Sequence, residues 1–163
     1  MEHHWAYKPL VYYSMAKALW NPDRLSFEDI ADDFCERGFG KAAGEMRAYF
    51  DLLEKTTDAA AGAEGEYLQF FDEKVIASLQ ALLKKAEMKA KDSPQDLERI
   101  AFVSAGLKGG ILSRKLYMAK KKNDSVLFEK LRKEFITYVR TSAETNPFIL
   151  NPASVGRYDN FVK

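Results

Sequence analysis

The stretch between two prolines, residues 9–22, constrains the fold of this chain more than any other. It reads PLVYYSMAKALWNP, and between the prolines only Ser14 and Lys17 are plainly polar. Their spacing of three places both on one narrow stripe of a helix. Pro9 suits the first helical turn, where its missing N–H needs no partner, and the second proline disfavours continuation beyond Trp20. The stretch therefore predicts one short helix that other helices surround and bury.

Length, charge and cysteine content exclude several classes of protein. The chain has 163 residues, enough to bury a core without stabilising disulfides. Its 25 basic residues balance 24 acidic ones. The balanced charge therefore creates no overall electrostatic field that would attract nucleic acid or an acidic partner. Cys35 is the only cysteine, which excludes an intramolecular disulfide. No apolar run approaches the roughly 18 residues of a membrane span, so no span is expected.

Apolar residues recur at spacings of three and four along most of the chain, which predicts an all-α protein. After the first helix, the pattern predicts helices over residues 26–38, 41–54, 72–90, 94–121 and 124–145. We expect these elements to form an antiparallel bundle of about six helices, and a single helical domain over residues 1–163. The last residues, from Phe148 onward, lack periodicity and are expected to extend over the bundle as a C-terminal tail.

Polar residues mark the predicted helix starts. Ser26 followed by Asp29 forms a capping-box pattern, and Asp72 is a good N-cap for the fourth helix. Ser93 with Asp96 repeats the capping-box pattern at the start of the fifth, and Asn123 or Asp124 caps the sixth.

Glycine and small polar residues mark the predicted ends and interruptions. Gly38 is placed for a left-handed C-cap, and residues 56–65 read as a flexible loop. Gly109 and Gly110 interrupt the long fifth helix at a cost of about 2 kcal/mol relative to alanine. Close helix–helix approach, a kink or a true break must compensate for them.

The residues that could carry chemistry have simpler structural interpretations. His3 and His4 lack a third ligand nearby, so no metal or other cofactor is expected. Cys35 lies on an apolar helix face without a neighbouring histidine to activate it, which is typical of a buried thiol. The basic run at residues 120–122 has no interleaved aromatic residue, so no nucleic-acid binding is expected. Five carboxylates fall on the predicted outer, solvated face of the second helix: Glu28, Asp29, Asp32, Asp33 and Glu36.

Aromatic residues near the amino terminus are the candidate site. Trp5, Tyr7, Tyr12, Tyr13 and Trp20 lie close together in sequence. Aromatic faces stack on sugars as readily as on other apolar surfaces. The sequence favours packing in the core or at a domain interface, and direct ligand contact by these residues is the alternative.

Part of the chain also resembles a known family. The segment KALWNPD, an amphipathic helix and then GFGKAAGEMRAYFDLLE lie between Tyr12 and Glu54. This order resembles the C-terminal helical region of the domain of unknown function 4838 family, bacterial proteins similar to glycoside hydrolases. The resemblance continues more weakly over residues 67–117, including Arg99. Lys41 stands where the family pattern has a proline.

The resemblance implies a non-catalytic helical domain of a carbohydrate-processing protein, the C-terminal part of a larger parent that contains a (β/α) barrel. The acidic pair for glycoside hydrolysis would lie in that barrel, so no catalytic residue is transferred and the chain alone is not expected to be an enzyme. The implied partners are the barrel and an oligosaccharide, with self-association in isolation and a periplasmic or extracellular location. In this view Trp5, Tyr7, Tyr12 and Tyr13 lie at the domain interface or sugar-site rim. The alternative is an independent helical module that binds a protein partner in a groove between helices.

Overall fold

A computed structural model of the chain describes residues 6, 8–20, 26–60, 71–146, 148 and 149. The regular elements among these residues are all helical, which confirms the all-α prediction. They are α1 (Pro9–Trp20), α2 (Phe27–Phe39), a short 3-10 helix (Gly40–Ala42), α3 (Ala43–Ala60), α4 (Glu73–Lys89), α5 (Pro94–Lys121) and α6 (Ser125–Thr145). The predicted tail lies outside the described residues, except for a turn at Phe148 and Ile149.

The chain divides into two compact units, and helix α5 contributes to both. One unit is Lys8–Ser104, and the other is Met1–Tyr7 with Ala105–Lys163. Each unit is described by itself below. The expectation of a single domain stays a prediction.

Helices α2, α3 and α4 form the core of the unit Lys8–Ser104. Helix α3 packs against both α2 and α4. An aromatic cluster joins α2 to α3, because the Phe34 ring lies 5.6 Å from that of Phe39 and 5.5 Å from that of Phe50, edge-on in both cases. The buried residues of the three helices are Ile30, Ala31, Cys35, Phe39, Met46, Tyr49, Phe50, Thr56, Ile76, Leu79, Leu83 and Ala86.

The start of α2 is as predicted, and its end is not. The Asp29 amide donates to Ser26 Oγ at 3.1 Å and the Ser26 amide donates to Asp29 Oδ2 at 3.0 Å, which is a capping box. The helix continues past Gly38 to Phe39, and the positive φ of 48° belongs to Gly40. The extra residue, Phe39, is buried in the aromatic cluster, which explains why the first glycine does not end the helix.

Helix α3 is longer than the sequence predicted. It was expected from residue 41 to residue 54, but it begins at Ala43 after the 3-10 turn and continues to Ala60. The loop prediction is therefore wrong for residues 56–60, and residues 61–65 lie outside the described part of the chain. The Thr56 hydroxyl donates to the Leu52 carbonyl at 2.7 Å, and Thr56 is buried. Threonines that bond back to the preceding turn allow the helix to continue where composition suggested a loop.

In the other unit, α6 and the second half of α5 carry the buried side chains. Helix α5 continues through Gly109 and Gly110, which are buried, so a break between them is excluded. Asp124 caps α6 by accepting the Leu127 amide at 2.9 Å, and the Tyr138 hydroxyl donates to the Ala105 carbonyl at 2.7 Å. Ala6 and Ile149 of the same unit are also buried, and the buried apolar side chains of the two helices are Leu107, Leu112, Leu116, Ala119, Leu131, Phe135 and Val139.

In helices α2 to α6, three residues expected to face inward are exposed: Phe27, Ala101 and Leu127. Phe27 and Leu127 lie in the first turns of α2 and α6, at the margin of each packed face. Ala101 is one position, about 100° of rotation, from the fully buried Ile100. The apolar stripe predicted from spacing is therefore wider than the face that packs.

Gly106 allows Ala6 to lie directly on α5. A Cβ atom at this position would lie 2.2 Å from the carbonyl oxygen of Ala6, a backbone atom, and Ala6 is itself buried. We expect Gly106→Ala to lower the free energy of unfolding by about 1–3 kcal/mol in chemical denaturation, because the backbone must shift. Gly44→Ala is the control, since nothing lies within 4 Å of its Cβ position. Equal effects of the two substitutions would contradict the steric argument.

Candidate interaction surface

Helix α1 is largely exposed, so the prediction of a buried helix is wrong. Its only buried residue is Leu10. Four apolar side chains, here called the outer face of α1, point to solvent: Val11 at 48 % exposure, Met15 at 57 %, Leu19 at 84 % and Trp20 at 92 %. Val11, Met15 and Leu19 follow each other at a spacing of four, which places them in one row along the helix.

The polar stripe of α1 faces the protein instead. Lys17 Nζ lies 2.8 Å from Asp33 Oδ2 on α2, and the Tyr13 hydroxyl donates to the same oxygen at 2.5 Å. Ser14 Oγ is buried and has no hydrogen-bond partner among the described residues. Helix α1 thus has a mixed inner side, where Leu10 and the Tyr13 ring lie beside Ser14 and Lys17, and an apolar outer face in solvent.

Asp33 organises this contact. Arg37, one turn along α2, also donates to its carboxylate, so three side chains converge on it. We call Tyr13, Lys17, Asp33 and Arg37 the Asp33 cluster. The sequence placed Asp33 on a solvated outer face, and this was wrong because the residue lies where α1 meets α2. The Tyr13 ring adds an apolar contact, with its centroid 5.1 Å from that of Phe34.

The cluster shifts the acid–base properties of its members. Hydrogen bonds from Lys17, Tyr13 and Arg37 hold the pKa of Asp33 well below its usual range. The same carboxylate raises the pKa of Lys17. Burial, then the bond to Asp33, raises the pKa of Tyr13. The carboxylate therefore stays ionised at neutral pH with cationic and hydroxyl donors around it.

Acid should weaken the contribution of Asp33 to stability. Because its pKa is lower in the folded protein than the 3.8 of an unperturbed Asp, the contribution is present above that pH and is lost as the pH falls below it. We expect Asp33→Asn to lower the free energy of unfolding by about 1 kcal/mol at pH 7, since the cluster is partly exposed. Urea denaturation at pH 7 and pH 3 should show the gap between wild type and variant narrowing in acid. A constant gap would contradict this assignment.

Of the four aromatic residues predicted for the site, the structure describes two. Tyr12 and Tyr13 are half-buried on α1, and the Tyr13 hydroxyl is bound to Asp33. Trp5 and Tyr7 lie outside the described residues, so their part in a site stays a prediction. Leu19 and Trp20, the most exposed large apolar side chains of α1, are the stronger candidates for an interaction. The sequence named Trp20 among the aromatic candidates but did not distinguish Leu19, because the whole helix is apolar.

The remaining candidates have structural roles. Cys35 is buried, which raises the pKa of its thiol to about 12 and leaves it unreactive, as predicted. Arg47 bridges the carboxylates of α2 and α3, with its Nε 3.0 Å from Asp32 Oδ1 and its Nη1 3.3 Å from Asp51 Oδ1. Glu28 also pairs with Arg47. These carboxylates lie at the surface and contact one arginine, which is the arrangement of a stabilised helix pair.

The described part of the chain contains neither a candidate metal site nor a helix that could span a membrane. No group of three histidine, cysteine or acidic side chains there could hold a metal ion, and His3 and His4 lie outside it. None of its helices combines the length and the apolar composition needed to cross a membrane. A shallow depression runs along α6, but its lining residues all belong to that one helix: Ser125, Val126, Glu129, Lys130 and Lys133.

No protein-family model matches this sequence, and comparisons with curated proteins and with solved structures find no match. The resemblance of residues 12–54 to the domain of unknown function 4838 family therefore stays a prediction from sequence motifs.

Proposed function

We propose that this chain is a non-catalytic helical domain that packs, through the outer face of α1, on the barrel of a carbohydrate-processing protein. In this proposal the helices form an antiparallel bundle of about six members. The observation that carries the proposal is the apolar outer face of α1, which lies in solvent. The sugar connection is supported only by the resemblance of residues 12–54 to a glycoside-hydrolase-like family.

The energetics of α1 favour a covered outer face. Burying a large apolar side chain contributes about 1.5–3 kcal/mol, and Leu19 and Trp20 realise almost none of this in the described structure. Single exposed apolar residues are ordinary, but a contiguous row along a helix is typical of an interaction surface. The outer face contains no charged side chain, so the complementary surface is expected to be apolar.

The small size of the outer face favours a partner within the same polypeptide. Helix α1 has 12 residues, so it is about 18 Å long. A stable complex between separate proteins buries about 800 Å² on each partner, which a single row of side chains on a short helix does not supply. A tethered domain has a high effective concentration and can use a smaller contact. This argument supports a barrel of the parent protein over an independent partner.

A sugar site at the same edge would use the aromatic residues of this region. Trp20 exposes its indole, and Tyr12 lies half-buried on the same helix. Aromatic faces of this kind stack on pyranose rings. We include Trp5, Tyr7 and Tyr13 in this proposed rim on the basis of the sequence, with the Tyr13 hydroxyl already occupied by Asp33.

The proposal is tested first by the DNA upstream of the Met1 codon. A reading frame that continues upstream into a barrel supports it, and an upstream stop codon without a barrel-encoding neighbour would contradict it. The parent protein should then give a calorimetric response to glucuronic acid or N-acetylhexosamine oligosaccharides at millimolar concentration. An independent interaction module, the second candidate, would bind a protein partner through the outer face without any barrel.

A further inference from the structure

The orientation of α1 on α2 requires an explanation of its own. Apolar burial alone would turn the row Val11, Met15 and Leu19 toward α2. The structure shows the opposite, with that row in solvent and Ser14 and Lys17 facing the protein. Burial of the apolar row Val11, Met15 and Leu19 therefore does not select the rotation of α1 about its axis.

Polar contacts on the inner side of α1 meet at one carboxylate. Tyr13 and Lys17 lie four residues apart, so both side chains leave the same face of α1 and reach Asp33 Oδ2, at 2.5 Å and 2.8 Å. Arg37 fixes the other oxygen of the carboxylate from the following turn of α2. A carboxylate held from both sides accepts donors in a restricted geometry, unlike a mobile surface ion pair.

On the inner side of α1, the apolar part of the contact is small beside the apolar row that stays exposed. Leu10 is its one buried side chain, and the Tyr13 ring against Phe34 is the aromatic contact that joins it to α2. Rotation of α1 would separate Tyr13 and Lys17 from Asp33 and leave a carboxylate fixed by Arg37 alone. Buried or partly buried polar groups act in this way as devices of conformational specificity.

We propose that Asp33 is a positioning residue that fixes the rotation of α1 through Tyr13 and Lys17 and so turns the outer face toward a partner. Asp33 does not contact the partner in this scheme. The inference adds a mechanism to the proposed function, since the orientation of α1 determines which side chains a docking domain meets. The test of this inference needs no partner. The inference can therefore fail while the docking proposal holds, and the docking proposal can fail while the inference holds.

The test measures the thiol reactivity of two cysteine variants of the full chain. Met15→Cys places a thiol on the outer face and Ser14→Cys places one on the inner face. We expect a disulfide reagent such as dithiobis(nitrobenzoate) to label the first at least about tenfold faster, because thiol reactivity follows exposure. The native Cys35 is buried and should contribute a negligible background rate.

Removal of the carboxylate should abolish this contrast. With Asp33→Ala added, we expect the ratio of the two labelling rates to fall from about tenfold toward one, as α1 loses its fixed rotation. Asp32→Ala is the matched control, because Asp32 is the preceding residue and contacts Arg47 rather than α1. It should leave the ratio unchanged.

A ratio that persists in Asp33→Ala, or that falls equally in Asp32→Ala, overturns the proposal. Rapid labelling of Cys35 would show that Asp33→Ala has unfolded the unit. In that case the double variant Tyr13→Phe, Lys17→Met replaces it, since it removes both donors of α1 and preserves side-chain size. The same loss of contrast is expected, and a persistent contrast in that variant overturns the proposal.

Discussion

Replacing Phe135 with alanine is expected to lower the free energy of unfolding by about 3–5 kcal/mol. Phe135 is among the largest fully buried side chains, on the face of α6 that also buries Leu131 and Val139. Its removal leaves a cavity that neighbouring helices fill only in part, so the lost packing adds to the lost transfer free energy. Urea denaturation followed by circular dichroism at 222 nm measures the change.

Phe148→Ala is the matched control in the same unit, because it deletes the same side chain where it is 60 % exposed. We expect the control to change the free energy of unfolding by less than about 0.5 kcal/mol. A similar loss in both variants would mean that Phe148 is covered in solution or that Phe135 is not part of a packed core.

Local signals were sufficient to predict most helix boundaries. Asp72 accepts the amides of Lys74 and Val75, and Asp124 accepts that of Leu127, as the N-cap rule predicts from sequence alone. Such contacts span two or three residues, so the residue types that form them are visible in a short window of sequence. The same rule located the start of α2 at Ser26.

Contacts between residues distant in sequence could not be predicted. The Asp33 carboxylate and the Tyr13 hydroxyl are 20 residues apart, and nothing in the periodicity of α2 distinguishes Asp33 from the solvated carboxylates beside it. Likewise, Arg99 donates to the Gly38 carbonyl at 3.1 Å across 61 positions, and this bond satisfies the end of α2. The sequence predicted that α1 would be buried, but it could not show which face of this apolar helix the rest of the chain would leave open.

Trp20→Ala tests whether a barrel covers this part of α1. Its effect on the free energy of unfolding should depend on whether the barrel is present. In the chain alone, Trp20 is 92 % exposed, so the substitution should change the free energy of unfolding by less than about 0.5 kcal/mol. In a protein that also contains the barrel, a buried tryptophan at the centre of a contact should contribute at least about 2 kcal/mol. Urea denaturation of the helical domain in both proteins measures the difference.

Val126→Ala is the matched control for Trp20→Ala. Val126 is also an exposed apolar side chain, 83 % exposed on α6, and it lies outside the proposed interface. Its effect should be small in both proteins. If Trp20→Ala costs the same with and without the barrel, Trp20 does not contact the barrel. Such a result would remove Trp20 from the docking proposal. A loss that occurs only for Trp20→Ala and only with the barrel present would identify the carboxyl end of α1 as part of the interdomain contact, because only a covered side chain can lose burial.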